Sequence, residues 1–100
     1  MFKLKGKRVL LVGLGSRGRS ACRLLCASGA SVVAVDCKDN KQLQRETKPL
    51  AKLGAEVHLG LPKPLAKLLE GVELGVISVG GIRETAWVSA LQKLDISMIG

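Results

Sequence analysis

Short aliphatic runs that stop at glycine or a carboxylate alternate along this chain with segments whose apolar residues recur every three or four positions. Arg8-Val9-Leu10-Leu11-Val12 ends at Gly13, and Ser31-Val32-Val33-Ala34-Val35 ends at Asp36. Continuous runs of this kind predict strands buried on both faces, the habit of a parallel sheet covered by helices. Between them the period changes. Gly18, Ala21, Cys22, Leu25, Cys26 and Gly29 fall at i, i+3, i+4, i+7, i+8 and i+11. This spacing predicts a helix from Ser16 to Ser28 with one face of small residues and with Arg17, Arg19 and Arg23 off that face. Ser16 is the expected N-cap and Gly29 the expected stop.

The same reading continues to the end. Lys41 to Leu53 predicts a second helix with Leu43, Thr47, Leu50 and Leu53 on one side. Pro49 lies inside it and predicts a kink or a late start, and Gly54 closes it. Glu56 to Leu59 predicts a short edge strand, and Pro64 to Leu69 a short helix ended by Gly71. Leu74 to Val79 predicts a fourth strand, followed by Gly80 and Gly81. Glu84 to Leu94 predicts a helix with Ala86, Trp87, Ala90, Leu91 and Leu94 inward, and Ile96 to Ile99 a fifth strand. Five strands alternating with four helices specify an α/β fold: a Rossmann-like three-layer domain with a five-stranded parallel sheet in the order 3-2-1-4-5. Its ligand crevice would lie above strands 1 and 4, where the order reverses. One hundred residues fit one such domain, so residues 1–100 are expected to form a single nucleotide-binding unit with nothing left for a second.

Composition sharpens this picture in three places. The chain has one Trp, one Phe and no Tyr, so its core is aliphatic. Sixteen basic against eight acidic residues give a net charge of +8, which favours phosphates, nucleotides or other anionic partners. Nucleic acid is not the expected partner, because no aromatic platform or reading helix accompanies the charge. Cys22, Cys26 and Cys37 cannot complete a disulfide set, and without a CxxC or a histidine cluster no metal site is expected. Free thiols fit a reducing, cytoplasmic setting. No apolar run reaches membrane-spanning length, and Val9 to Val12 is too short for a signal-peptide core.

The chemistry concentrates in Gly13-Leu14-Gly15-Ser16-Arg17-Gly18, a GxGxxG between a strand and an amphipathic helix. Gly13 permits the tight turn, Gly15 lets phosphate oxygens approach bare backbone, and Gly18 lets the helix pack against the sheet. The helix N-terminus offers N–H groups and partial positive charge to a diphosphate. Asp36, at the end of the second strand, is placed to accept from a ribose hydroxyl pair, as in NAD enzymes, or from a uracil N–H. Lys38 is placed to bond a neighbouring carbonyl or phosphate, which also leaves an NADP reading open. Ser78, Gly80 and Gly81 would line the crevice from the other side, with Arg17 and Arg83 adding charge. His58, the only histidine, has no partner in motif spacing and reads as structural or superficial. No GxxxxGK[ST] loop occurs, so no ATP-activating centre is expected here.

These motifs resemble a known family. Leu4-Lys5-Gly6-Lys7-Arg8-Val9-Leu10-Leu11-Val12-Gly13-Leu14-Gly15-Ser16-Arg17-Gly18-Arg19-Ser20 is similar to the start of the UDP-N-acetylmuramoyl-L-alanine:D-glutamate ligases. These are the D-glutamate-adding members of the Mur ligase family, which serve peptidoglycan and cell-wall synthesis and hence cell division. Val35-Asp36-Cys37-Lys38, Leu53 to Gly60, Val76-Ile77-Ser78-Val79-Gly80-Gly81-Ile82 and Ile96 to Gly100 continue the likeness. The resemblance implies that Gly15, Ser16, Arg17 and Gly18 meet the diphosphate of UDP-N-acetylmuramoyl-L-alanine. It implies that Asp36, Cys37 and Lys38 surround the uracil, and that Ser78, Gly80 and Gly81 line the other side. It also implies that ATP and Mg2+ bind a central domain and D-glutamate mainly a last one, both outside these 100 residues, so that this domain alone is not catalytic. Arg17 stands where the family usually has Thr or Ser, and Val79 where it usually has proline.

Overall fold

A computed structural model describes residues 4–78 and 85–99. The elements run β1 (Arg8–Val12), α1 (Ser16–Ala27), β2 (Ser31–Asp36), α2 (Lys41–Lys52), β3 (Glu56–Leu59), α3 (Ala66–Leu69), β4 (Leu74–Ile77), α4 (Thr85–Lys93) and β5 (Ser97–Ile99). All strand pairs are parallel, in the order β3-β2-β1-β4-β5. β1 therefore lies at the centre, between β2 and β4, and the order reverses beside it.

Successive side chains of a strand point to opposite faces, so β1 and β2 feed two cores at once. Val9, Leu11, Val32 and Ala34 pack with Cys22 and Leu25 of α1 and Leu43 and Leu50 of α2. Leu10, Val12, Val33 and Val35 pack with Leu68 and Leu69 of α3 and Trp87 and Leu91 of α4. Burying each such leucine contributes roughly 1.5–3 kcal/mol, so the central strands anchor the corner they lead into.

Several ends differ from expectation. α2 begins at Lys41 despite Pro49, so there is no late start. The carbonyl that Pro49 leaves without a donor belongs to Arg45, on the exposed side where water reaches it. Asn40 caps α2, its side chain accepting from the Leu43 N–H at 2.8 Å. Leu53 and Leu94, expected inward, are each 55% exposed, because α2 and α4 stop just before them. Ala86 is also exposed. β4 ends at Ile77 rather than Val79, and Val79 lies outside the described residues.

The three cysteines are free thiols, and only Cys22 is fully buried. Desolvation, reinforced by Cys26 one turn along, pushes the Cys22 thiol up to about 12. The thiolate is the reactive form, so Cys22 is expected to resist iodoacetamide at pH 8 in the native chain while the half-buried Cys37 is alkylated. Peptide mass spectrometry reads this directly, and Cys22 labelling as fast as Cys37 would contradict the packing described.

Candidate functional site

The site begins where β1 runs out. Gly13 turns the chain at φ 98°, a left-handed value that side chains resist. Gly15 is the N-cap of α1, and Ser16, expected to cap, is instead the first helical residue. No side chain caps this end. The first helical bond runs from the Arg19 N–H to the Gly15 carbonyl at 2.9 Å. The N–H groups of Ser16, Arg17 and Gly18 precede it, in the first turn where a helix has no internal acceptors to offer. No acidic residue stands in that turn, and Arg17 is exposed there, so the end is electropositive.

Three consecutive peptide planes of the loop are pinned. The Leu14 N–H donates to Asp36 Oδ2 at 2.8 Å. The Leu14 carbonyl accepts from Arg19 Nη1 at 3.1 Å. The Gly15 carbonyl accepts from the Arg19 N–H. A trans peptide holds its C=O and N–H in opposite directions, so fixing the Leu14 and Gly15 carbonyls aims the Gly15 and Ser16 N–H groups the other way. Leu14 itself is fully buried and anchors the loop.

Asp36 lies where the sequence reading puts it, half-buried at the end of β2, but its carboxylate is already engaged. One oxygen holds the Leu14 N–H and the other accepts from the Lys38 N–H at 2.9 Å. Each oxygen retains a lone pair for a further donor. Cys37 is half-buried and Lys38 exposed beside it.

The glycines differ in what they do. A Cβ on Gly18 would stand 1.8 Å from the Gly13 carbonyl oxygen and 2.9 Å from Ser78 Oγ, so α1 sits directly against the loop and the end of β4. A Cβ on Gly15 would meet nothing within 4 Å. Packing therefore demands glycine at position 18 and not at position 15, where open space stands over bare backbone. Ser78 brings the second side together with the first: its N–H bonds the Val12 carbonyl at 3.0 Å, and its hydroxyl is buried without a hydrogen-bond partner among the described residues. Gly80, Gly81 and Arg83 lie outside the described residues.

Sequence reasoning missed two pairs. Arg19, read as merely outward, bonds Glu46 of α2 at 2.6 Å while holding the Leu14 carbonyl. His58 does have a partner: Glu56, two residues earlier on the same face of β3, lies 2.6 Å away and is held below the usual carboxylate range by that bond. The i, i+2 spacing on a strand was the available signal for the second pair. A cleft of about 360 Å³ lined by Leu69, Val72, Leu94 and Ile96 opens near the starts of β4 and β5, away from the loop. Among the described residues no group of three or more His, Cys, Asp or Glu is arranged to hold a metal, and no helix is long and apolar enough to cross a membrane.

Comparison with known proteins gives one consistent result in sequence and a broader one in structure. The chain is 36% identical over 99 residues to a UDP-N-acetylmuramoylalanine–D-glutamate ligase of Caldanaerobacter subterraneus subsp. tengcongensis, spanning 99% of the chain and 22% of that protein. It is 42% identical over 97 residues to one from Koribacter versatilis, spanning 21% of it. The chain thus spans about a fifth of the length of the curated relatives it matches. No protein-family model matches it. In structure it is similar to SirC, a precorrin-2 dehydrogenase, with a TM-score of 0.64 and 21% identity over all of this chain and 47% of that one. It is also similar to the PH0520 protein from Pyrococcus horikoshii, with a TM-score of 0.65 and 19% identity over 98% of this chain and 27% of that one. Likeness at that identity concerns the Rossmann-like fold alone.

Proposed function

Because this chain belongs with the UDP-N-acetylmuramoylalanine–D-glutamate ligases over a domain's length, we propose that its Gly13–Gly18 corner binds the diphosphate of a UDP-linked sugar. The observation that carries the reading is the uncapped N-terminus of α1, with open space over Gly15 at the point where the strand order reverses. Linked phosphates are suited to such an end: two anionic groups meet several N–H donors, each charge-assisted bond contributing roughly 1.5–3 kcal/mol. Gly15, Ser16, Arg17 and Gly18 hold the diphosphate, with the Arg17 guanidinium adding a positive charge that a neutral hydroxyl lacks. Asp36, Cys37 and Lys38 stand beside the uracil, the spare lone pairs of Asp36 accepting its N–H. Ser78 faces the ligand from the β4 side.

In this reading the domain presents UDP-N-acetylmuramoyl-L-alanine to the rest of a cytoplasmic ligase, where ATP and Mg2+ activate its carboxyl group and D-glutamate attacks. The residues described here bind and orient and carry no bond-making step. Calorimetric titration of the 100-residue chain with UDP, and separately with NADH, tests the proposal. Saturable UDP binding that exceeds NADH binding is expected. Tighter retention of NADH would replace the reading with that of an oxidoreductase module.

A further inference from the structure

We propose that Arg19 is a positioning residue for the phosphate loop, and that its pairing with Glu46 makes α2 part of the binding apparatus. The inference deepens the proposed diphosphate reading and rests on it for its ligand. Its geometry is independent of any ligand. The Arg19 guanidinium is a planar fork: Nη1 holds the Leu14 carbonyl at 3.1 Å and Nη2 holds Glu46 Oε2 at 2.6 Å. Both side chains are largely sheltered, at 20% and 29% exposure, so the pair is fixed rather than splayed into solvent.

The consequence follows from the planarity of the peptide. A carbonyl left free at Leu14 would be able to swing toward incoming phosphate and repel it, carrying the Gly15 N–H away. With the carbonyl drawn to Arg19, the Gly15 N–H is committed to the open side. Asp36 acts on the neighbouring plane by taking the Leu14 N–H. The two charged groups therefore grip Leu14 from opposite ends, and the acidic one is held by β2 while the basic one is held by α2 through Glu46. A guanidinium suits this task and an ammonium does not, since two acceptors lie on two nitrogens of one rigid plane.

Three variants test this: Arg19→Met, Arg19→Lys and Glu46→Gln. Amide hydrogen exchange in the free chain reads the grip, and titration with UDP reads its effect. All three are expected to speed exchange at the Leu14 N–H while leaving Val33, in the middle of β2, unchanged. A merely structural role would raise exchange at both. UDP binding is expected to weaken roughly tenfold in Arg19→Met and by a similar factor in Arg19→Lys, the equivalent of losing one charge-assisted bond. Glu46→Gln, which touches no ligand, is expected to weaken it by a smaller factor in the same direction. Unchanged Leu14 exchange in Arg19→Met overturns the proposal, and so does wild-type UDP affinity in Arg19→Lys, which would mean that charge alone matters. If the unaltered chain binds no UDP, the functional reading fails, and the exchange arm still decides whether Arg19 positions the loop.

Discussion

Gly18→Ala is expected to be the most damaging single change in this chain. The added methyl group would stand 1.8 Å from the Gly13 carbonyl oxygen and 2.8 Å from its carbon, both backbone atoms that no rotamer change can move. Either α1 lifts off the sheet or the loop rearranges, and both disturb Cys22 and Leu25, which α1 itself packs into the core. Overpacking of this kind costs about 3 kcal/mol. In a domain of this size that lowers the midpoint of thermal unfolding by more than about 10 °C. Circular dichroism of the variant reads the shift, and an unchanged midpoint would mean that α1 does not sit where it is described. UDP binding is expected to be lost with it, since the same displacement moves the first-turn amides.

Gly15→Ala separates binding from folding. The new methyl group meets no atom within 4 Å, and the residue's φ of −68° is open to any side chain. Two small terms oppose each other. Alanine is a poorer N-cap than glycine, and it restricts the unfolded chain more, so the net stability change stays within about 1 kcal/mol. Binding has no such compensation in the proposed pose, where the methyl group would occupy the approach of the phosphate oxygens to the amides. Losing one or two charge-assisted bonds corresponds to a weakening of roughly tenfold to several hundredfold. The expected pair of results is an unfolding midpoint near that of the unaltered chain and a UDP isotherm close to flat. Full affinity in this variant would show that the ligand does not come to bare backbone.

The contrast between these glycines shows how far the sequence could be read. The three-glycine spacing located the corner, and the unbroken runs at Val9 to Val12 and Val32 to Val35 located the strands that support it, because a strand buried on both faces leaves no polar position to confuse the period. Helix ends were less legible. Leu53 and Leu94 fit the helical spacing and still face solvent, since periodicity does not say where a helix stops. Asp36 stands at the end of β2 as the strand pattern predicts, but its bond to Leu14 was not legible, because it depends on how tightly the loop folds back between β1 and β2. The Arg19–Glu46 pair was invisible, because it joins residues on two helices whose packing is decided by the shared core beneath them. What the sequence showed was the set of residues around the corner. What it withheld was which of them are already occupied in holding it open.

The proposed binding requires the unengaged amides at the start of α1 to receive linked phosphates. The most direct measurement is a 15N-labelled amide titration of the chain with UDP. Saturable shifts are expected to be largest at Gly15, Ser16, Arg17 and Gly18, with a second group at Asp36 to Lys38. Shifts scattered over the surface, or centred on the basic face of α2 at Lys41, Arg45 and Lys48, would contradict it.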